Sequence, residues 1–158
     1  MERKKSAGEY VGVETKTGIP EVVRRMEREA VEAGLDEALM CNSKSNIVCA
    51  SSANVFAIDR EGCLRTPPVS DGALPGIVRG AILDHAENTG IKINYESLNR
   101  REIEEFMLFL TNSLMGLRAA RIASGFQPNP AQMELFTALQ TWYRGAVLSS
   151  AAKTTCNE

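Results

Sequence analysis

Histidine, closely paired cysteines and long apolar runs are scarce in this chain, and each scarcity excludes a class of protein. The 158 residues contain one histidine and four cysteines, with no two cysteines in a C-x-x-C pair. A zinc site or a secreted disulfide framework is therefore not expected, and no metal is assigned. No run approaches the roughly 20 apolar residues of a membrane-spanning helix, and no apolar signal core follows the charged start, so we expect a cytoplasmic protein without membrane partners.

An excess of either charge is also lacking. Lys and Arg number 18 against 20 Asp and Glu, so no broad basic field exists to hold a nucleic-acid backbone, and no nucleic-acid partner is expected. What is present is ordinary for a globular protein. Hydrophobic residues make up 44% and charged residues 24%, which excludes a wholly disordered or collagen-like chain. The length is typical of one compact domain rather than two.

Apolar spacing predicts helices and strands that alternate along the chain. Helices are predicted over residues 21–33, 76–86 and 100–105, and from residue 130 onward. Asn129 can cap the last of these, and Gln132 can complete its capping box. Strands are predicted at residues 10–13, 37–41, 46–50, 54–58, 91–94, 106–110 and 119–123.

The order of these elements predicts the domain organisation. The three strands between residues 37 and 58 are expected to form an antiparallel meander, and the whole set an α/β or α+β domain on a mixed sheet. This domain is expected over residues 11–148. Residues 1–10 are predicted to be a flexible N-terminus, and residues 149–158 a flexible tail.

Three segments are candidates for chemistry. Lys16 lies at a predicted strand end before a Gly-Ile-Pro turn, where its amine can project into a cleft. The turn at 74–78 leads into a helix whose first backbone N–H groups can bind an anion. The small polar residues 111–113 follow an apolar strand. Each alone is also compatible with an ordinary surface lysine, helix start or turn, but together they suggest a phosphorylated carbonyl cofactor.

These segments occur among further motifs in a fixed order. The motifs are Lys16-Thr17, Asp36-Glu37-Ala38-Leu39, Ser52-Ala53-Asn54-Val55-Phe56, Leu64-Arg65-Thr66-Pro67, Leu74-Pro75-Gly76-Ile77-Val78-Arg79 and Thr111-Asn112-Ser113-Leu114-Met115. Their order and spacing resemble the class IV aminotransferases, the fold type IV pyridoxal-phosphate enzymes that include branched-chain and D-amino-acid aminotransferases and 4-amino-4-deoxychorismate lyase. The resemblance runs from about residue 12 to residue 148. It implies the large C-terminal cofactor domain of the D-amino-acid aminotransferase-like fold.

The resemblance implies pyridoxal 5'-phosphate as the cofactor and an amino-acid or aminodeoxychorismate-type substrate. Lys16 resembles the lysine that forms the Schiff base and then moves the α-proton, a role that an amine of lowered pKa can perform. The residues implied to hold the phosphate lie in two turns: Gly76, Ile77, Val78, Asn112 and Ser113. The sequence Asn-Ser-Leu-Met in the second turn resembles the lyase branch more than the branched-chain enzymes.

Two departures from the family pattern oppose full activity. Cys49 occupies the position of the glutamate that keeps the cofactor's pyridine nitrogen protonated, and a thiol supplies no fixed charge unless its pKa falls. Cys49 is then either a ring contact or a plain core thiol. The chain also has only fifteen residues before Lys16, too few for the family's small N-terminal domain. We therefore expect either an enzyme that acts as a homodimer or with a complementing N-terminal half, or a truncated, non-catalytic homologue.

Overall fold

The computed structural model describes residues 20–121 and 126–154, which form three helices and eight strands. The helices are α1 Pro20–Glu32, α2 Ile77–Thr89 and α3 Pro130–Thr154. The strands are β1 Leu39–Cys41, β2 Asn46–Ala50, β3 Asn54–Ile58, β4 Leu64–Arg65, β5 Ile93–Asn94, β6 Leu98–Asn99, β7 Met107–Asn112 and β8 Gly116–Ala120. Among these described residues, no helix is both long and apolar enough to cross a membrane. The strand predicted at 10–13 lies outside the described residues.

The strands form two sheets. One is a three-stranded antiparallel sheet in the order β1-β2-β6, and the other is five-stranded in the order β5-β4-β3-β7-β8. Since β4 and β5 run parallel while the remaining pairs are antiparallel, the predicted mixed sheet is confirmed. At its centre, β3 pairs with β7 from Asn54 opposite Thr111 to Ile58 opposite Met107.

The predicted three-stranded meander is wrong in its third strand. β1 and β2 pair as expected, but β3 leaves that sheet and pairs with β4 and β7. A bend after β2, closed by the Ala50 N–H on the Ala53 carbonyl at 2.8 Å, turns the chain from one sheet into the other. Apolar strands of equal length carry no signal for which sheet they join.

Several element boundaries differ from the predicted ones. The strand predicted at 106–110 continues to Asn112, and the next strand begins at Gly116 rather than at 119. Gly116 has a φ of +65°, which closes a tight connection that apolar patterning does not reveal. The predicted helix at 100–105 is only a 3-10 turn, Ile103–Glu105, and α3 continues to Thr154, past the predicted domain limit at 148.

The capping of α3 is as predicted. The Gln132 N–H donates to Asn129 Oδ1 at 2.9 Å, and the Asn129 N–H donates to Gln132 Oε1 at 2.9 Å. Each side chain satisfies a backbone donor that the helix start leaves free, which is the reciprocal arrangement of a capping box.

The side chains of β3 alternate between two hydrophobic layers. Phe56 stacks on Phe109 of β7 at 5.0 Å between ring centroids, and this layer includes Ile82 of α2 and Leu139 of α3. Val55 and its same-face neighbours pack instead against the three-stranded sheet. Because β3 and β7 are buried on both faces, their N-terminal and C-terminal ends, respectively, form a rigid edge. The candidate site lies at this edge.

Candidate functional site

Asn54, the first residue of β3, links the two turns that were predicted to hold a phosphate. It lies opposite Thr111, the residue before the second turn. Its Nδ2 donates to the Leu74 carbonyl in the first turn at 2.8 Å. A Cβ placed on Gly76 would lie 2.2 Å from Asn54 Oδ1, so only glycine permits this approach. The two turns, far apart in sequence, therefore meet at one edge of the sheet.

The first turn presents the start of α2. Gly76 is the N-cap in extended conformation, and no side chain caps the helix. The first intrahelical bond is donated by the Gly80 N–H to the Gly76 carbonyl at 2.9 Å. The N–H groups of Ile77 and Val78 precede it and have no acceptor within the helix, so they can bind an anion at the positive end of the helix dipole.

Side-chain burial holds this helix start in place. The Val78 side chain is buried in the layer that contains Phe56, whereas that of Ile77 is 87% exposed. The buried Val78 therefore anchors the helix start in the core, while the exposed Ile77 lies on its solvent side. Gly76, Ile77 and Val78 thus have the surroundings expected of a phosphate-binding helix start.

The second turn connects β7 and β8 and is organised by Asn112. Its Oδ1 accepts hydrogen bonds from the N–H groups of Leu114 at 3.0 Å and Met115 at 2.8 Å. Its Nδ2 donates to the Ser52 carbonyl at 3.1 Å. Both polar atoms of the Asn112 side-chain amide are therefore hydrogen-bonded within the protein. Ser113 is exposed, and its hydroxyl makes no hydrogen bond to the described residues. Of these two, Ser113 is the group better suited to contact a ligand.

Cys49 lies in β2 opposite Met40, with its Sγ 3.7 Å from the methionine Sδ. Burial, together with smaller contributions from the nearby Cys41 and Glu37, raises the pKa of this thiol to about 11. The group is consequently a neutral thiol at pH 7, and it supplies no negative charge. Glu37 itself accepts hydrogen bonds from the Ser51 and Ser52 hydroxyls.

Lys16 lies outside the described residues. The structure therefore shows the two turns together but not the position of the Lys16 amine. Sequence reasoning missed Asn54, which joins the two turns, and Glu37, whose carboxylate accepts hydrogen bonds from Ser51 and Ser52. A signal was present for Asn54, because a polar amide directly before a fully apolar strand is well placed to tie a neighbouring loop. Glu37 had no such signal, since its partners depend on the bend after β2.

The fold is a mixed α/β domain, and at this edge the start of α2 has no side-chain cap. Residues 15–122 match the class IV amino-transferase family, and the chain belongs to that family. The resemblance found in the motifs is thereby confirmed.

Several relatives bear this out. The chain is 29% identical over 102 residues to the branched-chain-amino-acid aminotransferase of Escherichia coli K12, covering 63% of this chain and 32% of that protein. A solved Escherichia coli branched-chain aminotransferase matches the fold with a TM-score of 0.72 at 24% identity, over 80% of this chain and 43% of that one. A Legionella pneumophila protein assigned to the 4-amino-4-deoxychorismate lyases matches with a TM-score of 0.69 at 26% identity, over 89% and 58%. The chain thus spans about a third of the curated relative and less than two thirds of either solved chain.

Members of this family depend on pyridoxal phosphate, and the residues of this chain fit one end of that group. The uncapped backbone amides at the start of α2 suit its phosphate. The position implied to face its ring nitrogen carries the neutral Cys49 thiol, which does not fit a permanently protonated pyridine.

Proposed function

We propose that this chain is the cofactor domain of a pyridoxal-phosphate-dependent protein. Its reaction would be that of an aminotransferase or a 4-amino-4-deoxychorismate lyase, on an amino-acid or aminodeoxychorismate-type substrate. The observation that carries the proposal is Asn54, which sits between the two turns and brings both to one edge. Two backbone-built turns at one rigid edge suit a group that carries a dianionic phosphate.

Backbone amides at the start of α2 bind and orient the phosphate in this proposal. The N–H groups of Ile77 and Val78 donate to its oxygens, and the Ser113 hydroxyl donates from the second turn. Hydrogen bonds to a charged acceptor contribute about 1.5–3 kcal/mol each, so these three contacts together contribute about 5–9 kcal/mol to phosphate binding. Gly76 permits the close approach of Asn54, whose hydrogen bond to the Leu74 carbonyl holds the turn against the sheet.

Lys16 is the group that we propose links to the cofactor aldehyde and carries the α-proton of the substrate. When bound, pyridoxal phosphate supplies that aldehyde and an aromatic ring that withdraws electrons. Cys49 weakens electron withdrawal by the ring, because a neutral thiol leaves the ring nitrogen without a fixed negative partner. We therefore expect cofactor binding to be retained and amino-group exchange to be slow.

A spectroscopic titration tests the binding proposal. Purified protein mixed with pyridoxal phosphate should develop the near-ultraviolet or visible absorption band of a lysine-linked cofactor, and Lys16→Ala should abolish it. Lys44→Ala, an exposed lysine in the β1–β2 connection, is the matched control and should leave the band unchanged. A wild-type spectrum equal to that of free cofactor would reject the proposal.

Cys49 also favours a second candidate function, a homologue that binds the cofactor without turnover. Assays with branched-chain L-amino acids, D-alanine and aminodeoxychorismate separate the two candidates. Release of a keto acid from an amino acid indicates an aminotransferase, and release of 4-aminobenzoate together with pyruvate from aminodeoxychorismate indicates a lyase. A cofactor-loaded protein that yields neither product is the non-catalytic homologue.

A further inference from the structure

We propose that Glu37 is a positioning residue for the second phosphate turn, acting through Ser52 and Asn112. This inference rests on the proposed function, because it names a residue that sets the shape of that same site. Glu37 lies two residues before β1 and is far from the turn in sequence. A line of hydrogen bonds nevertheless connects its carboxylate to the β7–β8 connection.

The first part of this line is the carboxylate and the two serines. Ser51 donates its hydroxyl to one carboxylate oxygen of Glu37, and Ser52 donates its hydroxyl to the other. The Ser52 N–H also approaches the carboxylate, at 3.4 Å. Hydrogen bonds to an ionised acceptor are roughly twice as strong as neutral ones, so Glu37 fixes both serine side chains.

The second part runs from Ser52 to the turn. The Ser52 carbonyl accepts the hydrogen bond from Asn112 Nδ2 at 3.1 Å. The other atom of that amide, Oδ1, accepts the N–H groups of Leu114 and Met115. The orientation of the Ser52 backbone therefore determines the orientation of the Asn112 side-chain amide. That amide then determines the conformation of the β7–β8 connection, which carries Ser113.

Ser51 and Ser52 provide a matched pair for testing this line. Both donate a hydroxyl to the same carboxylate, and both lie in the bend after β2. The carbonyl that accepts from Asn112 is that of Ser52, whereas Ser51 donates its backbone N–H to the Ala38 carbonyl at 2.9 Å. Ser52→Ala should therefore disturb the turn, whereas Ser51→Ala should weaken the bend alone.

Amide hydrogen exchange tests the line without any ligand. In Glu37→Ala and Ser52→Ala, the amides of Leu114 and Met115 should exchange about tenfold faster than in the wild type, since their acceptor is no longer held in place. Ser51→Ala should change these rates much less, and Glu37→Gln, which keeps an acceptor oxygen, should restore most of the protection. Equal rates in the wild type and Ser52→Ala would overturn the inference, even if Glu37→Ala fails to fold.

Cofactor selectivity tests the link to the phosphate. Glu37→Ala and Ser52→Ala should lower the affinity for pyridoxal phosphate about tenfold relative to the affinity for pyridoxal, which has no phosphate for the turn to bind. Loss of fold would instead weaken both ligands together. If the wild type binds no pyridoxal phosphate, the proposed function fails and the phosphate role of Glu37 fails with it. If the wild type binds pyridoxal phosphate, and Ser52→Ala leaves the ratio of the affinities for pyridoxal phosphate and pyridoxal unchanged, the inference alone fails.

Discussion

The two ends of the proposed cofactor site are made from different kinds of group. The phosphate end uses backbone N–H groups at the start of α2, which Asn54 holds against the sheet. The ring end depends on one side chain, Cys49, in β2. Many sequences can present backbone amides at the same place, whereas a single substitution changes a side-chain contact completely. The comparison teaches that binding of the phosphate and activation of the ring can be lost separately.

Gly76→Ala should break the phosphate end and give the largest effect. The new Cβ would meet Asn54 Oδ1 at 2.2 Å, and moving that amide breaks its hydrogen bond to the Leu74 carbonyl. We expect about tenfold or greater loss of pyridoxal-phosphate affinity and a loss of about 1–2 kcal/mol in the free energy of unfolding. Absorbance titration and urea unfolding measure these quantities.

Gly80→Ala is the control for that change. Gly80 lies in the same helix, and a Cβ placed there meets nothing within 4 Å. Replacing an interior helical glycine by alanine should add up to about 1 kcal/mol of stability. Its cofactor affinity should equal that of the wild type. Equal losses of affinity in both variants would show that the close approach of Gly76 and Asn54 does not shape the phosphate site.

Cys49→Glu should sharpen the comparison at the ring end. A half-buried carboxylate beside Glu37 should lower the free energy of unfolding by about 1–3 kcal/mol in the absence of cofactor. With cofactor bound, the rate of amino-group transfer in a single turnover should rise, because the ring nitrogen gains a negative partner. Cys49→Gln keeps the shape without the charge and should not show this gain. A rate that is the same in both variants would mean that residue 49 does not face the ring.

Thr111→Val tests whether the edge between the two turns is a functional or only a structural surface. Its hydroxyl is buried and has no hydrogen-bond partner in the part of the chain that the structure describes. Removing an unsatisfied buried hydroxyl while keeping the shape should stabilise the protein by about 1 kcal/mol. Thermal unfolding measures the gain, and the cofactor affinity should stay unchanged. A loss of affinity in this variant would assign the hydroxyl to the ligand.

At neutral pH Cys49 makes stability no function of pH, but a dependence is expected in alkaline solution. Its pKa is about 11 in the folded protein and near 9.0 without the fold, so the folded state holds the proton more tightly. This contribution is constant below about pH 9 and is lost as the pH rises toward 11. Urea unfolding between pH 8.5 and 10.5 should show a steeper fall for the wild type than for Cys49→Ser. Identical slopes would contradict the buried position of the thiol.

Much of the local structure could be predicted because it depends on neighbours in sequence. The capping box of α3 involves residues three apart, and both of its hydrogen bonds formed as expected. The strands at 46–50 and 54–58 also have the predicted bounds. The pairing of the second of these was wrong, since an apolar strand fits either sheet equally well. The predicted homodimer, or complementing N-terminal half, stays a prediction.

The motifs alone determined the family, because their order and spacing are properties of the chain that folding does not alter. They also nominated Gly76 and the turn at 111–113. Only the tertiary structure decided how these segments are joined, by Asn54 on one side and by the line from Glu37 to Asn112 on the other. Those contacts connect residues 15 to 60 positions apart. Hydrogen bonds at such separations depend on which strands pair, and the spacing of residues along the chain does not contain that information.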